Sequence, residues 1–315
     1  MSTLPLSKPH ELDDCPEARR WLIEGLWADQ AVGIVGGEPK CCKSFLALDI
    51  AVAVASGATC LRRFPVAQTG PVLLFAAEDA LHIVRRRLAG ISRAACVAFE
   101  TLDIHVITSP SLRLDRSDDR NRLQETVDAL RPKLLVLDPF VRLHRVDENV
   151  VAEVAPLLAY LRQLERRFST AVLLVHHARK GAAHARAGQA LRGSSELHAW
   201  GDSNLYLRRK DETLLLTVEH RAAPAMAGLV LELRTQDHAV ALHVADHAPP
   251  ATDPDPPSPQ ERIELTLAAS TTPLSLRELR SKSRMRTATF CQALATLTAA
   301  GRVLRSNLGY SLPTQ

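Results

Sequence analysis

With 315 residues, 46% of them hydrophobic, the chain has room for one large α/β domain and a small accessory one. No apolar stretch approaches the ~20 residues of a bilayer-spanning helix, and residues 1–14 are polar and proline-bearing without a signal-peptide core. The expectation is therefore a cytoplasmic protein with no membrane partner. The net charge of +4 is unevenly spread, because residues 261–315 carry eight Lys/Arg against three Glu, or +5, and the remainder carries 31 against 32, or −1. A basic end on a near-neutral body points to an anionic partner, nucleic acid first, with a solvated surface as the plainer alternative.

After an N-terminal segment, 1–19, the apolar run Ala31–Val35 reads as a buried strand and Phe45–Val54 as a helix. Between them lies Gly36-Gly37-Glu38-Pro39-Lys40-Cys41-Cys42-Lys43-Ser44, close to the phosphate-loop pattern G-x-x-x-x-G-K-[ST]. Backbone N–H groups of such a loop, with the helix N-terminus, surround phosphate oxygens. Gly37, Glu38, Pro39, Lys40, Cys41, Cys42, Lys43, Ser44 and Phe45 are the expected ATP-binding residues. Lys43 is placed to reach the β- and γ-phosphates and Ser44 to ligate Mg²⁺. Cys42 occupies the position of the second glycine, where backbone comes close to phosphate. If that position needs φ > 0, the cost is on the order of 1–2 kcal/mol or more, which is read as a roughly ten- to thirty-fold loss of affinity. The six cysteines lack C-x-x-C spacing and read as reduced thiols, not as a zinc site.

Downstream, strand-like and helix-like segments alternate to about Leu174, the signature of a mainly parallel sheet flanked by helices. The strand Pro71–Ala76 ends at Glu78 and Asp79; Glu78 is placed to deprotonate an attacking water, while Asp79 suits a helix N-terminus. Lys133–Asp138 ends in a carboxylate placed to hold Mg²⁺ together with Ser44. Ala171–Val175 runs into His176-His177, and His177 is placed to sense the γ-phosphate. The small, basic stretch 178–191, with Arg179, Lys180 and Arg186, reads as a loop touching nucleic-acid backbone or as a plain surface loop. Arg192 and Arg221 are candidates for arginine fingers reaching a neighbouring subunit's phosphates. Ser203–Arg208, Thr213–Glu219, Leu229–Arg234 and Ala239–Val244 read as antiparallel additions to the sheet edge, closing a domain over 20–247.

A proline-rich linker, 248–259, precedes a module over 260–315. Its helices are expected at Gln260–Ala269, from Ser275 with a capping box to Glu278, and at Thr287–Ala300, followed by a hairpin through Val303–Leu312. Helix, helix, helix, hairpin is the order of a winged helix-turn-helix, with Arg284, Arg286, Arg302 and Arg305 suited to phosphate contacts. A protein-contact module is the competing reading.

The stretch 20–245 resembles the RecA/DnaB-like ATPases, and within them the plasmid RepA-type hexameric replicative helicases. The likeness lies in Gly37-Glu38-Pro39-Lys40 with Lys43-Ser44, in Ala77-Glu78-Asp79, in Leu137-Asp138-Pro139-Phe140 followed by Asp147-Glu148-Asn149, in Val175 to Gly181, and in Arg192-Gly193-Ser194-Ser195. It implies a RecA-like core and ATP hydrolysis with Mg²⁺ at subunit interfaces of a homo-oligomeric ring, a hexamer in this family. Glu78 is then the catalytic glutamate, Asp138 the Walker B acid, His177 the γ-phosphate sensor and Arg192 or Arg221 the finger. By the same likeness basic loops would face single-stranded DNA in the channel. The winged-helix end lies outside the resemblance, with duplex DNA as its candidate partner. The departure is Cys42, which leaves open a nucleotide-binding regulator or scaffold with weak or no hydrolysis.

Overall fold

A computed structural model describes residues 6–11, 20–177, 195–210, 213–236, 239–245, 258–270, 272–283 and 285–313. The chain divides into two compact units, Met1–Pro249 and Pro250–Gln315.

The first unit opens with a hairpin, β1 (Trp21–Ile23) and β2 (Trp27–Ala28). The central segments follow in order: β3 (Val32–Gly37), α1 (Lys43–Ser56), β4 (Val72–Ala76), α2 (Leu81–Ala94), β5 (Ile104–Val106) and α3 (Ser117–Leu130). Then come β6 (Leu134–Asp138), a 3₁₀ turn (Phe140–Arg142), α4 (Val151–Phe168), β7 (Ala171–His177) and α5 (Ser195–Trp200). The last strands are β8 (Ser203–Lys210), β9 (Thr213–His220), β10 (Met226–Gln236) and β11 (Ala239–Val244).

Nine strands form one sheet in the order β11-β10-β9-β8-β3-β7-β6-β4-β5. Its central strands are uniformly apolar because both faces are covered. Alternation assigns the two faces to different cores. Val35, Val72, Leu74, Leu134, Val136, Leu173 and Val175 join the core that contains α1. Val32, Ile34, Leu73, Phe75, Leu135, Leu137, Val172 and Leu174 join the core built with α3, α4 and α5. Helix α1 carries no amphipathic stripe, and residues Leu46 to Val54 are all buried.

The parallel sheet is one strand wider than the sequence suggests. β8 pairs parallel with β3, from Gly33 opposite Ser203 to Gly37 opposite Leu207. Only β9, β10 and β11 extend the sheet antiparallel, each by a hairpin or tight return. The reason is connectivity: β7 returns to β8 through α5 rather than through a two-residue turn, which gives the crossover that parallel pairing needs.

In the second unit, α6 (Pro259–Ala268), α7 (Leu276–Ser283) and α8 (Thr287–Ala299) precede the hairpin β12 (Leu304–Ser306) and β13 (Gly309–Ser311). Pro259 is the first residue of α6, capped by Ser258 and Glu261 in a reciprocal box, so the helix begins inside the stretch expected to be linker. Leu274 bridges to Tyr310 as a third strand segment, and Ile263, Leu279, Phe290, Leu294, Leu297 and Val303 make the core.

Candidate nucleotide site

The site stands at the C-terminal ends of the parallel strands, where the loop after β3 turns into α1. Gly37 holds the loop's base: a Cβ there would lie 2.3 Å from the Leu207 carbonyl oxygen of β8, so only glycine lets the two backbones approach. Lys40 (φ 66°) and Cys42 (φ 58°, ψ 25°) are both left-handed. This is the backbone that curls successive N–H groups toward a common point, and it is the conformation for which glycine is preferred at Cys42. Cys42 then caps α1, accepting at its carbonyl the N–H of Leu46 at 3.0 Å.

Lys43, only 5% exposed, donates through Nζ to the Glu38 carbonyl at 2.7 Å. Burial pulls its pKa down, opposed by the charges of Cys41, Asp138 and Glu78. Asp138, 9% exposed at the end of β6, has its pKa pushed up to about 6 by burial. A hydrogen bond from Ser44 opposes that rise, and the charges of Asp79 and Glu78 reinforce it. Burial also raises the pKa of the half-buried Cys42 thiol.

Glu78 and Asp79 follow β4, and each has its own arginine. Arg142 Nε meets Glu78 Oε1 at 2.9 Å. Asp79 pairs with Arg87 of α2, whose guanidinium lies 5.0 Å from the Phe45 ring centroid. Asp79 is thus not a cap of α2; Ala80 stands at that position without a side-chain bond.

The pair His176-His177 divides. His177, at the end of β7, lines the pocket, while the buried His176 lies against Phe140, with ring centroids 6.0 Å apart. Alternation along a strand forces the two rings to opposite faces.

These groups converge on one pocket of about 310 Å³. Lys43, Ser44, Glu78, Asp138 and His177 line it, as do Lys40, Cys41, Cys42 and Phe45. Gly37, Glu38 and Pro39 shape the loop without lining the pocket. Asp79 and Arg87 also line it, and neither is among the site residues expected from the sequence. A basic residue on the first helix after the Glu-Asp pair is the one available signal, and Arg85-Arg86-Arg87 offers three indistinguishable choices. Arg209, near the end of β8, also acts electrostatically on Cys42.

The donor set fits a nucleoside triphosphate with Mg²⁺. It combines left-handed loop backbone at a helix N-terminus, a buried ammonium, and a hydroxyl bonded to a buried carboxylate.

Other predicted residues lie elsewhere. Arg221 follows β9, whose end pairs with Ser203 at the N-terminal end of β8, away from the phosphate loop. Its guanidinium donates to the Ala199 carbonyl at 2.6 Å and approaches Asp202 at 3.3 Å. Arg302 pairs with Glu264 at 2.8 Å, and Arg305 stands 6.0 Å from the Tyr310 ring centroid. Arg286 is exposed at the N-terminus of α8. Arg179, Lys180, Arg186, Arg192 and Arg284 lie outside the described residues.

A family model described as AAA domain matches residues 2–183, more than half of the chain. The chain belongs to this AAA domain family. Among solved structures, the RadB recombinase aligns with a TM-score of 0.50 at 18% identity, over 69% of this chain and 92% of that one. A KaiC-like protein from the archaeon Pyrococcus horikoshii aligns at a TM-score of 0.48 and 16% identity, over 70% of this chain and 93% of its own. The core of this AAA domain protein is thus a RecA-like P-loop fold.

Proposed function

We propose that the chain is a DNA-associated ATPase of the RepA type. The observation that carries this reading is the convergence of Lys43, Ser44, Glu78, Asp138 and His177 on one pocket from four different strand ends. In the proposed reaction, the loop N–H groups and Lys43 hold the phosphates of ATP, moving Nζ from the Glu38 carbonyl to a phosphate oxygen. Ser44 and Asp138 would hold Mg²⁺, which would supply charge neutralisation at the phosphates. Glu78 accepts the proton of the water attacking the γ-phosphorus. His177, at the next strand end, contacts the γ-phosphate and passes its presence to the segment that follows β7.

Ring assembly with single-stranded DNA in the channel, duplex contact through a winged helix in the second unit, and unwinding are the finer parts of the proposal. The charge pattern of the second unit supports DNA contact. Glu261 is engaged with Ser258, Glu278 with Ser275, and Glu264 with Arg302. Exposed Arg277, Arg280, Lys282 and Arg286 have no ion-pair partner among the described residues. A second reading, a nucleotide-bound regulator with little turnover, rests on the Cys42 side chain lining the pocket.

The deciding experiment is ATP binding and hydrolysis by the wild type, Cys42→Gly and Lys43→Ala, with and without single-stranded DNA. DNA-stimulated turnover that is lost in Lys43→Ala is the expected result. Turnover restricted to Cys42→Gly supports the regulator. Absence of ATP binding in both the wild type and Cys42→Gly overturns the assignment of the loop.

A further inference from the structure

Glu78 and Arg142 reach each other from loops that follow neighbouring strands. β4 and β6 run parallel with Ala76 opposite Asp138, and the Ala77 N–H donates to the Asp138 carbonyl at 2.7 Å. The backbone beneath Arg142 is fixed on both sides, by the fully buried Phe140 and Leu143, with Phe140 against His144 at a centroid distance of 4.4 Å. Arg142 Nε then donates to Glu78 Oε1 at 2.9 Å. The two side chains are 61% and 42% exposed, so this ion pair adds only ~0–1 kcal/mol to stability. Its effect is geometric. A glutamate has three rotatable side-chain bonds, and binding one carboxylate oxygen fixes where the other stands. Asp79, next along the chain, has its own partner in Arg87, so the two acids do not exchange arginines.

We infer that Arg142 is a positioning residue for hydrolysis, holding the Glu78 carboxylate by one oxygen so that the other meets the attacking water. The inference rests on the reading of Glu78 as the proton acceptor. A carboxylate left to rotate meets the water in a fraction of its conformers, which lowers turnover and leaves the phosphate contacts of ATP unchanged.

The test is steady-state ATP hydrolysis and ATP affinity of the full chain for Arg142→Ala, Arg142→Lys, Glu78→Gln and Arg142→Ala/Glu78→Gln, in the wild-type and Cys42→Gly backgrounds. Arg142→Ala is expected to lower kcat by about ten- to a hundred-fold with KM within about two-fold of wild type. Arg142→Lys is expected to recover part of kcat, and the double variant to equal Glu78→Gln alone, with thermal midpoints unchanged throughout. If Arg142→Ala turns over as fast as the parent or faster while Glu78→Gln is inactive, Arg142 is not a positioning residue. If Arg142→Ala and Glu78→Gln lose activity additively, the two do not act through one another. If Glu78→Gln retains parental turnover, or neither background turns over, the reading of Glu78 itself fails.

Discussion

Cys42 combines two facts that pull in opposite directions. It is a non-glycine residue in the left-handed region, which destabilises that position by roughly 1–2 kcal/mol. Yet the loop already holds this conformation with Cys42 in it, so the strain weighs on folding and not on ligand binding. The condition set in the sequence, φ > 0, is met, but a strain already present in the folded loop does not translate into the ten- to thirty-fold affinity penalty. Cys42→Gly should therefore raise stability by no more than about 1 kcal/mol, because relief of strain is offset by glycine's greater freedom in the unfolded chain. Its ATP affinity should change by less than about ten-fold; a thirty-fold gain in a binding titration would sink this account. Asp138 carries the opposite kind of cost. Its carboxyl ionises at about 6 in the folded protein, against about 4 in an unfolded chain. The folded state thus holds the proton more tightly, and stability falls as pH rises from about 4 through 6. At neutral pH the loss is on the order of 2–3 kcal/mol. Asp138→Asn, without Mg²⁺ or nucleotide, is expected to raise the melting temperature at neutral pH and to leave it unchanged near pH 4. Equal effects at both values would show that the buried charge is not the cause.

At the scale of elements, the phosphate loop is positioned by how closely β8 approaches β3. Gly33 and Gly37 both face β8, and a Cβ on Gly33 would lie 1.7 Å from the Ser203 carbonyl oxygen and 3.0 Å from the Trp27 ring. The obstruction is backbone, which cannot rotate aside as a long side chain can. Gly33→Ala is expected to cost about 3 kcal/mol or more in urea unfolding, and a loss below about 1 kcal/mol would mean that the strands part easily. The same end of β8 is tied down by Asp202, which takes the Arg162 guanidinium, approaches that of Arg221 and accepts the Val32 N–H. Arg221 thus engages Asp202 and the Ala199 carbonyl of its own chain. Its charge was visible in the sequence; the Asp202 and Ala199 groups that engage it were not, because they come from a different turn. Helix α1 shows the converse. Its near-continuous apolar run was readable as helix from length and from the preceding loop, and its burial on all sides explains why it has no polar face.

At the scale of the whole molecule, the candidate nucleotide site and the proposed duplex contact fall in different units, Met1–Pro249 and Pro250–Gln315. A chain ending at Pro249 is expected to keep the ATPase rate and to lose duplex binding. In the full chain, the logarithm of the duplex binding constant should fall with the logarithm of salt concentration at a slope of roughly −3 to −5, reflecting a few phosphate contacts. Equal duplex affinity in both chains, measured by anisotropy titration, would remove the second unit from DNA contact.

Much of this protein is local and therefore written in the sequence. The loop between a buried strand and a helix, the acids that end β4 and β6, the histidine that ends β7 and the capping box from Ser275 to Glu278 all depend on residues a few positions apart. Local spacing fixes backbone conformation, and backbone conformation fixes what a strand end presents. What only the tertiary structure decided are relations between segments far apart in the chain. These are the parallel seating of β8 beside β3, the pairing of Arg87 with Asp79 and of Arg142 with Glu78, and the engagement of Arg221 by Asp202. An exposed arginine has many carboxylates within its sequence and few within 4 Å, and packing of the sheet selects among them.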